Sequence, residues 1–183
     1  MAEIFDMNYV NDVYQRNVDD IFGLCFSYLR NIHDTEDAVS AVFEKLITKK
    51  PFFENQKKEK AWLIVTACNH CKSMLRFSFR HPKIDISTIQ EQEYWDDNEN
   101  MEMLELVMQL PEKYRVVLYL HFFVGYSLVE IAEFTKVNES TVRSRLFYAK
   151  KKLKKILGGN GYEKIYRNDG TYPTNSEPEE QDA

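Results

Sequence analysis

The chain has 183 residues, 44% of them hydrophobic, so it can fold around its own core as one ordinary domain or two small ones. It has no apolar run of about 18 residues, and Met1 to Asp6 contain no basic segment followed by an apolar one, so neither a membrane span nor a secretory signal is expected, and the predicted location is the cytoplasm. The net charge of -5 argues against strong nonspecific nucleic-acid binding by the free protein, but a local positive face can still attract a phosphate backbone.

Apolar residues recur at helical rather than strand spacing and glycine is scarce, so the fold class is predicted to be all-α. Residues 82–100 carry 1 basic and 6 acidic side chains, which predicts a linker between two small helical domains, 1–81 and 101–157. The polar, acidic tail 158–183 lacks the apolar content to fold alone and is predicted to be disordered.

In the first domain, a helix is predicted to begin at Asp34, which suits an N-cap, and Glu36 and Asp37 suit the positive end of the helix dipole. The inward stripe of this helix is predicted to consist of Val39, Val42, Phe43 and Leu46. The opposite face would be free for a partner.

The next segment combines cations, amides and a tryptophan, a mixture suited to holding a nucleic-acid single strand by its backbone. Its members are Lys57, Lys58, Lys60, Trp62, Asn69, Lys72, Arg76 and Arg80. Two of them also have structural interpretations. Trp62 fits a core position better than a stacking platform, and Asn69 fits the C-cap of a helix.

Cys68-Asn-His-Cys71 has the spacing of half a zinc site or of a redox pair. A structural zinc site needs four ligands, and the chain has no second pair with suitable spacing, so no metal is predicted. The chain also lacks a phosphate loop, a dinucleotide fingerprint and a nucleophile motif. We therefore expect no cofactor, no catalytic residue and no enzymatic activity.

The second domain starts with a helix that must stop before Pro111, followed by a stretch to Val124 that is apolar on nearly every side. This stretch predicts a helix buried by its neighbours and ended by Gly125. A capping box, Ser127-Leu-Val-Glu130, then starts a third, short helix.

Residues 134–138 are too few and too polar for another element, and Asn138 suits the N-cap of a last helix beginning at Glu139. The predicted arrangement is a helix-turn-helix. The inward face of the last helix would carry Val142, Leu146, Ala149, Leu153 and Ile156.

The outward face of this last helix is basic and rich in hydroxyl groups around an aromatic ring. A solvated face would explain such a charge run in isolation. The second helix of a helix-turn-helix, however, presents its early residues to the major groove, which favours DNA binding. The candidate contacts are Ser140, Thr141, Arg143, Ser144, Phe147, Tyr148 and Lys151.

Three motifs of the second domain are Leu110-Pro-Glu-Lys-Tyr-Arg115, Gly125-Tyr-Ser-Leu-Val-Glu-Ile-Ala132 and Ser140-Thr-Val-Arg-Ser-Arg-Leu146. In this order they resemble the carboxy-terminal promoter-binding domain of bacterial sigma factors. In the first domain, Asp34-Thr-Glu-Asp-Ala-Val-Ser-Ala-Val-Phe43 and Ala61-Trp-Leu-Ile-Val-Thr-Ala-Cys-Asn69 are similar to the polymerase-binding helix and the promoter-melting segment of that family. The short linker leaves no room for the family's central domain, so the resemblance is to the compact extracytoplasmic-function class.

The resemblance implies a protein that binds core RNA polymerase and directs initiation at promoter DNA, with an anti-sigma factor as a further partner. The last helix would read the minus-thirty-five element, and Trp62, Asn69, Lys72 and Arg76 would melt and read the minus-ten element. In the family an asparagine matching Asn69 lies in a loop that receives a flipped base. The polymerase contact would be lined by Asp34, Asp37, Ser40, Ala41 and Glu44.

The sequence departs from the family pattern at four positions. Ser40 and Ala41 stand where glutamine and glutamate are usual, Val65 where arginine is common, and Lys136 where the turn often has glycine. A left-handed lysine costs roughly 1 kcal/mol, so the turn at Lys136 is expected to have a different shape.

Two other functions remain open on the sequence alone. A stand-alone helix-turn-helix regulator would bind its promoter tightly without polymerase, whereas a purely protein-binding adaptor would be indifferent to Arg143→Ala and Phe147→Ala. The sigma-factor hypothesis instead predicts weak DNA affinity for the free protein, because each domain makes few phosphate contacts and polymerase must fix their spacing.

Overall fold

The computed structural model describes residues 7–80 and 106–157, and every regular element in these ranges is helical, as predicted. The N-terminal unit consists of α1 (Met7–Leu29), α2 (Ile32–Lys49) and α3 (Gln56–Arg80). The C-terminal unit consists of α4 (Glu112–Leu118), a π-helical segment (Tyr119–Phe123), α5 (Leu128–Thr135) and α6 (Glu139–Leu157). The predicted linker and tail lie outside the described residues. None of the helices described is long and apolar enough to span a membrane.

The three helices of the N-terminal unit pack against one another around an apolar core. The predicted inward stripe of α2 is confirmed, because each of its members is at most 6% exposed. These side chains share the core with Ile21 and Leu24 of α1 and with Leu63 and Ile64 of α3, which are 0 to 1% exposed.

The start of α2 differs from the prediction, because its N-cap is Asn31 and not Asp34. Asn31 has an extended backbone, and its side-chain oxygen accepts a hydrogen bond of 2.9 Å from the Asp34 amide. The helix therefore begins earlier than predicted, and Asp34 lies within its first turn. There its carboxylate still suits the positive end of the helix dipole.

A buried carboxylate, Glu59, joins the first turn of α3 to α1. It is 3% exposed and accepts hydrogen bonds from the Tyr9 hydroxyl (3.0 Å), the Arg16 guanidinium (3.2 Å) and the Asn17 side-chain amide (3.3 Å). Burying a charge is tolerated when the group is paired and hydrogen-bonded, as Glu59 is. Nothing in the sequence distinguishes Glu59, because it lies among lysines.

The C-terminal unit confirms the predicted capping box and the end of the apolar helix at Gly125, which has a φ of 87°. The predicted continuous helix from Pro111 is instead interrupted by the π-helical segment, in which the Val124 amide donates to the Tyr119 carbonyl at 3.2 Å. The spacing of apolar residues in the sequence does not distinguish a continuous α-helix from one with a π-helical segment.

The turn of the helix-turn-helix is shorter than predicted. Phe134 continues α5, because its ring is buried edge-on against Tyr126 at 4.8 Å between centroids. Lys136 takes the left-handed conformation with a φ of 52°, so the expected change of turn shape is wrong. Hydrogen bonds from the Lys136 and Val137 amides to carbonyls of α5 hold this conformation in place.

The two units pack against each other, which the sequence analysis did not predict. Helix α1 contacts α4 and the π-helical segment, and α3 contacts α5. The helix-turn-helix therefore lies against the N-terminal unit.

We expect Ser127→Ala to lower the free energy of unfolding by about 1 kcal/mol, the usual cost of losing an N-cap. Hydrogen bonds from Ser127 hold the pKa of Glu130 below its ordinary value of 4.5, so the cap is fully stabilising above that pH and weakens as Glu130 becomes protonated below it. The difference in free energy of unfolding between the wild type and Ser127→Ala should therefore become smaller in acid. Urea unfolding at several pH values measures it, with Ser73→Ala at an exposed position of α3 as the control.

Candidate nucleic-acid interface

The inward face of α6 is largely as predicted. Val142, Leu146, Ala149 and Leu153 are at most 7% exposed, whereas Ile156 is 42% exposed and does not belong to the core. Residues 154–156 are all exposed, so the end of α6 extends beyond the helices that it packs against.

The opposite face of α6 presents the predicted candidates to solvent. Phe147 is 64% and Tyr148 is 52% exposed, and their rings meet edge-to-face with centroids 5.5 Å apart. Thr141 is half-buried, and the remaining members are exposed, namely Ser140, Arg143, Ser144 and Lys151. An aromatic pair flanked by a guanidinium, an ammonium and hydroxyl groups can contact thymine methyl groups, guanine edges and phosphates.

Several of these side chains are held by short-range bonds. Asn138 caps α6 by accepting from the Thr141 amide at 2.9 Å, and Arg143 forms an ion pair of 2.5 Å with Glu139 one turn away. The Ser144 hydroxyl donates to the Ser140 carbonyl at 2.9 Å. An exposed pair within one helix contributes little free energy, so the Arg143 guanidinium can be released to a base at small cost.

The four minus-ten candidates lie on one helix, α3, within an arc of about 80° around its axis. Asn69 is exposed to solvent and lies in the middle of this helix, far from either end. The expected loop position and the alternative C-cap position are therefore both wrong. The helix continues past Asn69 because Ala67, Cys68 and Cys71 keep its inner face buried. Trp62 is half-buried and lies edge-on to Phe53, with 5.9 Å between ring centroids.

Lys72 and Arg76 differ in their availability. Lys72 is half-buried and donates a hydrogen bond to the Thr135 carbonyl at the end of α5, and burial lowers the pKa of its ammonium. Arg76 is exposed and donates from Nε to the Lys72 carbonyl at 3.2 Å. The C-terminal unit thus covers part of the α3 face.

The predicted polymerase contact forms one face of α2. Asp34, Asp37, Ser40 and Glu44 are exposed and Ala41 is half-buried, and all five lie opposite the buried stripe. This surface carries three carboxylates around two small residues, so it can receive a partner with basic side chains.

The cysteines are buried free thiols. Burial raises the pKa of Cys68 to about 11, and a hydrogen bond with Cys25 together with burial raises that of Cys71. Thiols of raised pKa in an apolar core are unreactive. Within residues 7–80 and 106–157, no group of three or more histidine, cysteine or acidic side chains is arranged to hold a metal ion.

The residues at which the two units meet were not predicted from the sequence. Arg115 of α4 is 4% exposed and donates a hydrogen bond to the Ser27 carbonyl of α1, and Tyr119 lies against Gly23 of α1. Two features of the sequence could have indicated this contact, namely a lone arginine in an apolar helix and a lone glycine within α1.

Comparisons with known proteins agree with this arrangement. Residues 13–78 match the family model described as Sigma-70 region 2, and residues 100–153 match the model described as Sigma-70, region 4. The chain is 29% identical over 140 residues to the RNA polymerase sigma factor SigV of Bacillus subtilis, covering 74% of this chain and 82% of that one. It is 27% identical over 163 residues to the ECF RNA polymerase sigma factor SigW of the same organism, covering 80% and 86%.

Two solved structures share the fold. The sigma factor RpoE in complex with the anti-sigma factor NepR from Bartonella quintana has a TM-score of 0.64 and 21% identity, covering 81% of this chain and 98% of that one. CnrH in complex with the cytosolic domain of CnrY has a TM-score of 0.59 and 18% identity, covering 85% and 92%.

The helical fold, the helix-turn-helix and the two family matches, which together span about two thirds of the chain, define a sigma factor of the sigma-70 family. Within that family the chain belongs to the extracytoplasmic-function class. This assignment favours a polymerase-binding sigma factor over a stand-alone regulator.

Adjacent residues of α6 should respond differently to the same truncation. Leu146 is buried, so Leu146→Ala should lower the free energy of unfolding by about 2 kcal/mol or more. Phe147 is exposed, so Phe147→Ala should change it by less than about 0.5 kcal/mol. Urea unfolding of the full chain makes the comparison, and equal losses would contradict this orientation of α6.

Proposed function

We propose that the chain is an initiation subunit of RNA polymerase whose three exposed helix faces have separate tasks. The outward face of α6 reads the minus-thirty-five element, the arc on α3 melts and reads the minus-ten element, and the acidic face of α2 binds core polymerase. Promoter DNA and core polymerase are its partners, and the polymerase performs the chemistry. The chain contributes no catalytic residue and acts in the cytoplasm.

The observation that carries this proposal is the surface of α6. A large aromatic side chain such as Phe147 gains nothing for the fold by being 64% exposed, and the side chains around it supply the hydrogen-bonding groups that DNA edges and phosphates require. The helix also occupies the second position of the helix-turn-helix, which is the element that enters the major groove in such proteins.

The α3 arc suits a melted strand better than an intact duplex. Asn69 offers an amide that can both donate and accept, Lys72 and Arg76 supply positive charge for the strand backbone, and Trp62 offers part of a ring for stacking. All four project from one rigid helix, so the strand would be held in one register. Val65 is half-buried on the same helix and offers no charge, so strand opening would depend more on Lys72 and Arg76.

A regulatory protein partner also follows from the relatives. One structural neighbour is described as the sigma factor RpoE in complex with the anti-sigma factor NepR, and the other as CnrH in complex with the cytosolic domain of CnrY. We propose that an anti-sigma factor binds this chain as well.

Run-off transcription with purified core polymerase tests the proposed role of α6. Arg143→Ala and Phe147→Ala should each lower the yield from a duplex promoter about tenfold, since a good base contact contributes about 1–3 kcal/mol. A template with a pre-melted minus-ten region should restore part of the yield.

The matched control is Lys152→Ala, which removes an exposed cation of the same helix about 140° around its axis from Phe147. This variant should transcribe at the wild-type level. No added initiation by the wild-type chain on any of a panel of promoters would contradict the proposed function, and equal losses in all three variants would contradict the assignment to this face.

Binding to core polymerase tests the face of α2. Asp37→Lys should weaken the complex at least about tenfold, because a like-charge juxtaposition in an interface costs several kcal/mol. Asp12→Lys reverses an exposed acid on α1 and should leave the affinity unchanged. Competition against a fluorescently labelled wild-type chain measures both, and unchanged binding of the Asp37 variant would exclude this face.

A further inference from the structure

The α3 arc is rich in polar and positive groups but poor in exposed ring surface. Of its four members only Trp62 is aromatic, and that ring is half-buried and lies edge-on to Phe53, with 5.9 Å between centroids. A protein that binds a nucleic-acid single strand combines a positive surface with rings on which unpaired bases stack. The four residues of the arc therefore supply the charge for a single strand but little of the stacking platform.

Phe79, in the last turn of α3, has the exposure that Trp62 lacks. Its side chain is 90% exposed, the largest exposed fraction of any large hydrophobic residue in the part of the chain that the structure describes. At about 100° per residue, Phe79 lies about 20° around the helix axis from Lys72 and about 10 Å further along it. The ring therefore extends the α3 arc toward the C-terminal end of the helix.

Two guanidinium groups flank the ring of Phe79. Arg76 precedes it by three residues and Arg80 follows it, and both are exposed within about 100° of it around the axis. The single acidic residue of α3 is Glu59, which is buried in the first turn of the helix. The surface around Phe79 therefore suits a partner that carries many negative charges together with flat apolar groups, as an unpaired DNA strand does.

The position of Phe79, and not its exposure alone, sets it apart. A single exposed phenylalanine is common on protein surfaces and needs no functional explanation. Phe77 is also exposed, at 63%, but it lies about 160° around the axis from Phe79 and so faces away from the arc. The cations suit the negative end of the helix dipole, but an apolar ring gains nothing from that dipole.

We propose that Phe79 is a further promoter-binding residue, on which one unpaired base of the minus-ten strand stacks. Asn69 and Phe79 lie about 15 Å apart along α3, a distance that a DNA strand covers in about four nucleotides. Arg76 and Arg80 bind the phosphates beside the stacked base. Every base has a face that can stack, so Phe79 holds the position of the strand and does not read its sequence. This inference rests on the proposed function for the identity of the strand.

Binding of a fork-junction promoter with an unpaired minus-ten strand to the complex of the full chain with core polymerase tests the proposal. Phe79→Ala should weaken binding about tenfold, which is within the range that stacking of one base on a ring contributes. Phe79→Tyr keeps the ring and should bind as the wild type does. Phe79→Leu keeps apolar volume without a ring and should bind as weakly as the alanine variant. Phe77→Ala is the matched control and should retain the wild-type affinity.

Removal of single bases from the unpaired strand locates the contact. An abasic nucleotide should abolish the difference in affinity between the wild type and Phe79→Ala at one position only, because the two changes then remove the same interaction. That position should lie within about four nucleotides of the one that does the same for Asn69→Ala. The slope of log affinity against log salt should be unchanged in Phe79→Ala and smaller by about 1 in Arg76→Ala, since only the arginine displaces a counterion.

Wild-type affinity of Phe79→Ala for the fork would overturn the proposal. Wild-type affinity of Phe79→Leu would also overturn it, because the contact would then need no ring. A deficit of Phe79→Ala that is the same at every abasic position would show that no base stacks there. Weaker binding of Phe79→Ala to core polymerase without DNA would place the ring in a protein interface instead. Failure of the proposed function is seen separately, as a wild-type complex that binds the fork no better than core polymerase alone.

Discussion

The guanidinium of Arg115 is almost fully enclosed between two helical units and is held by three main-chain carbonyl oxygens. Two of these belong to the end of α1, the helix that also packs against α2 and α3. A buried charge must keep its hydrogen bonds, so the position of α4 relative to α1 is fixed while the group remains buried. The placement of α5 against α3, and with it the partner of Lys72, follows from this contact.

The boundary between the units is partly apolar and partly polar, and its apolar residues belong to the same hydrophobic cluster as the cores of the units. Within the units, the core consists of fully buried aliphatic side chains such as Leu46, Leu63 and Leu153, which water cannot replace without a large loss of stability. At the boundary, the packing of Tyr119 against Gly23 is joined by polar contacts, in which Arg115 and Lys72 donate hydrogen bonds to main-chain carbonyls.

The two proposed DNA-binding surfaces are not equally available in this arrangement. The face of α6 around Phe147 is open to solvent, and its local bonds, such as the pair between Arg143 and Glu139, are weak enough to exchange for bases. The α3 arc is partly covered, since Lys72 is engaged by the end of α5. The proposed contact of α6 with the minus-thirty-five element thus requires no rearrangement, whereas Lys72 must leave the Thr135 carbonyl before it can make the proposed contact with the minus-ten element.

The sequence by itself determined the features that depend on neighbours a few residues apart: the all-α class, the capping box at Ser127, the inward stripe of α2 and the outward face of α6. The error at the α2 N-cap is also local, because Asn31 and Asp34 are both suitable caps and the backbone conformation chooses between them. Only the tertiary structure decided that Asn69 lies within a continuous helix and that the units meet at Gly23. The reason is physical: the fit of Gly23 to a side chain 96 positions away leaves no periodic trace, since shape and burial at a boundary are properties of two surfaces and not of either segment.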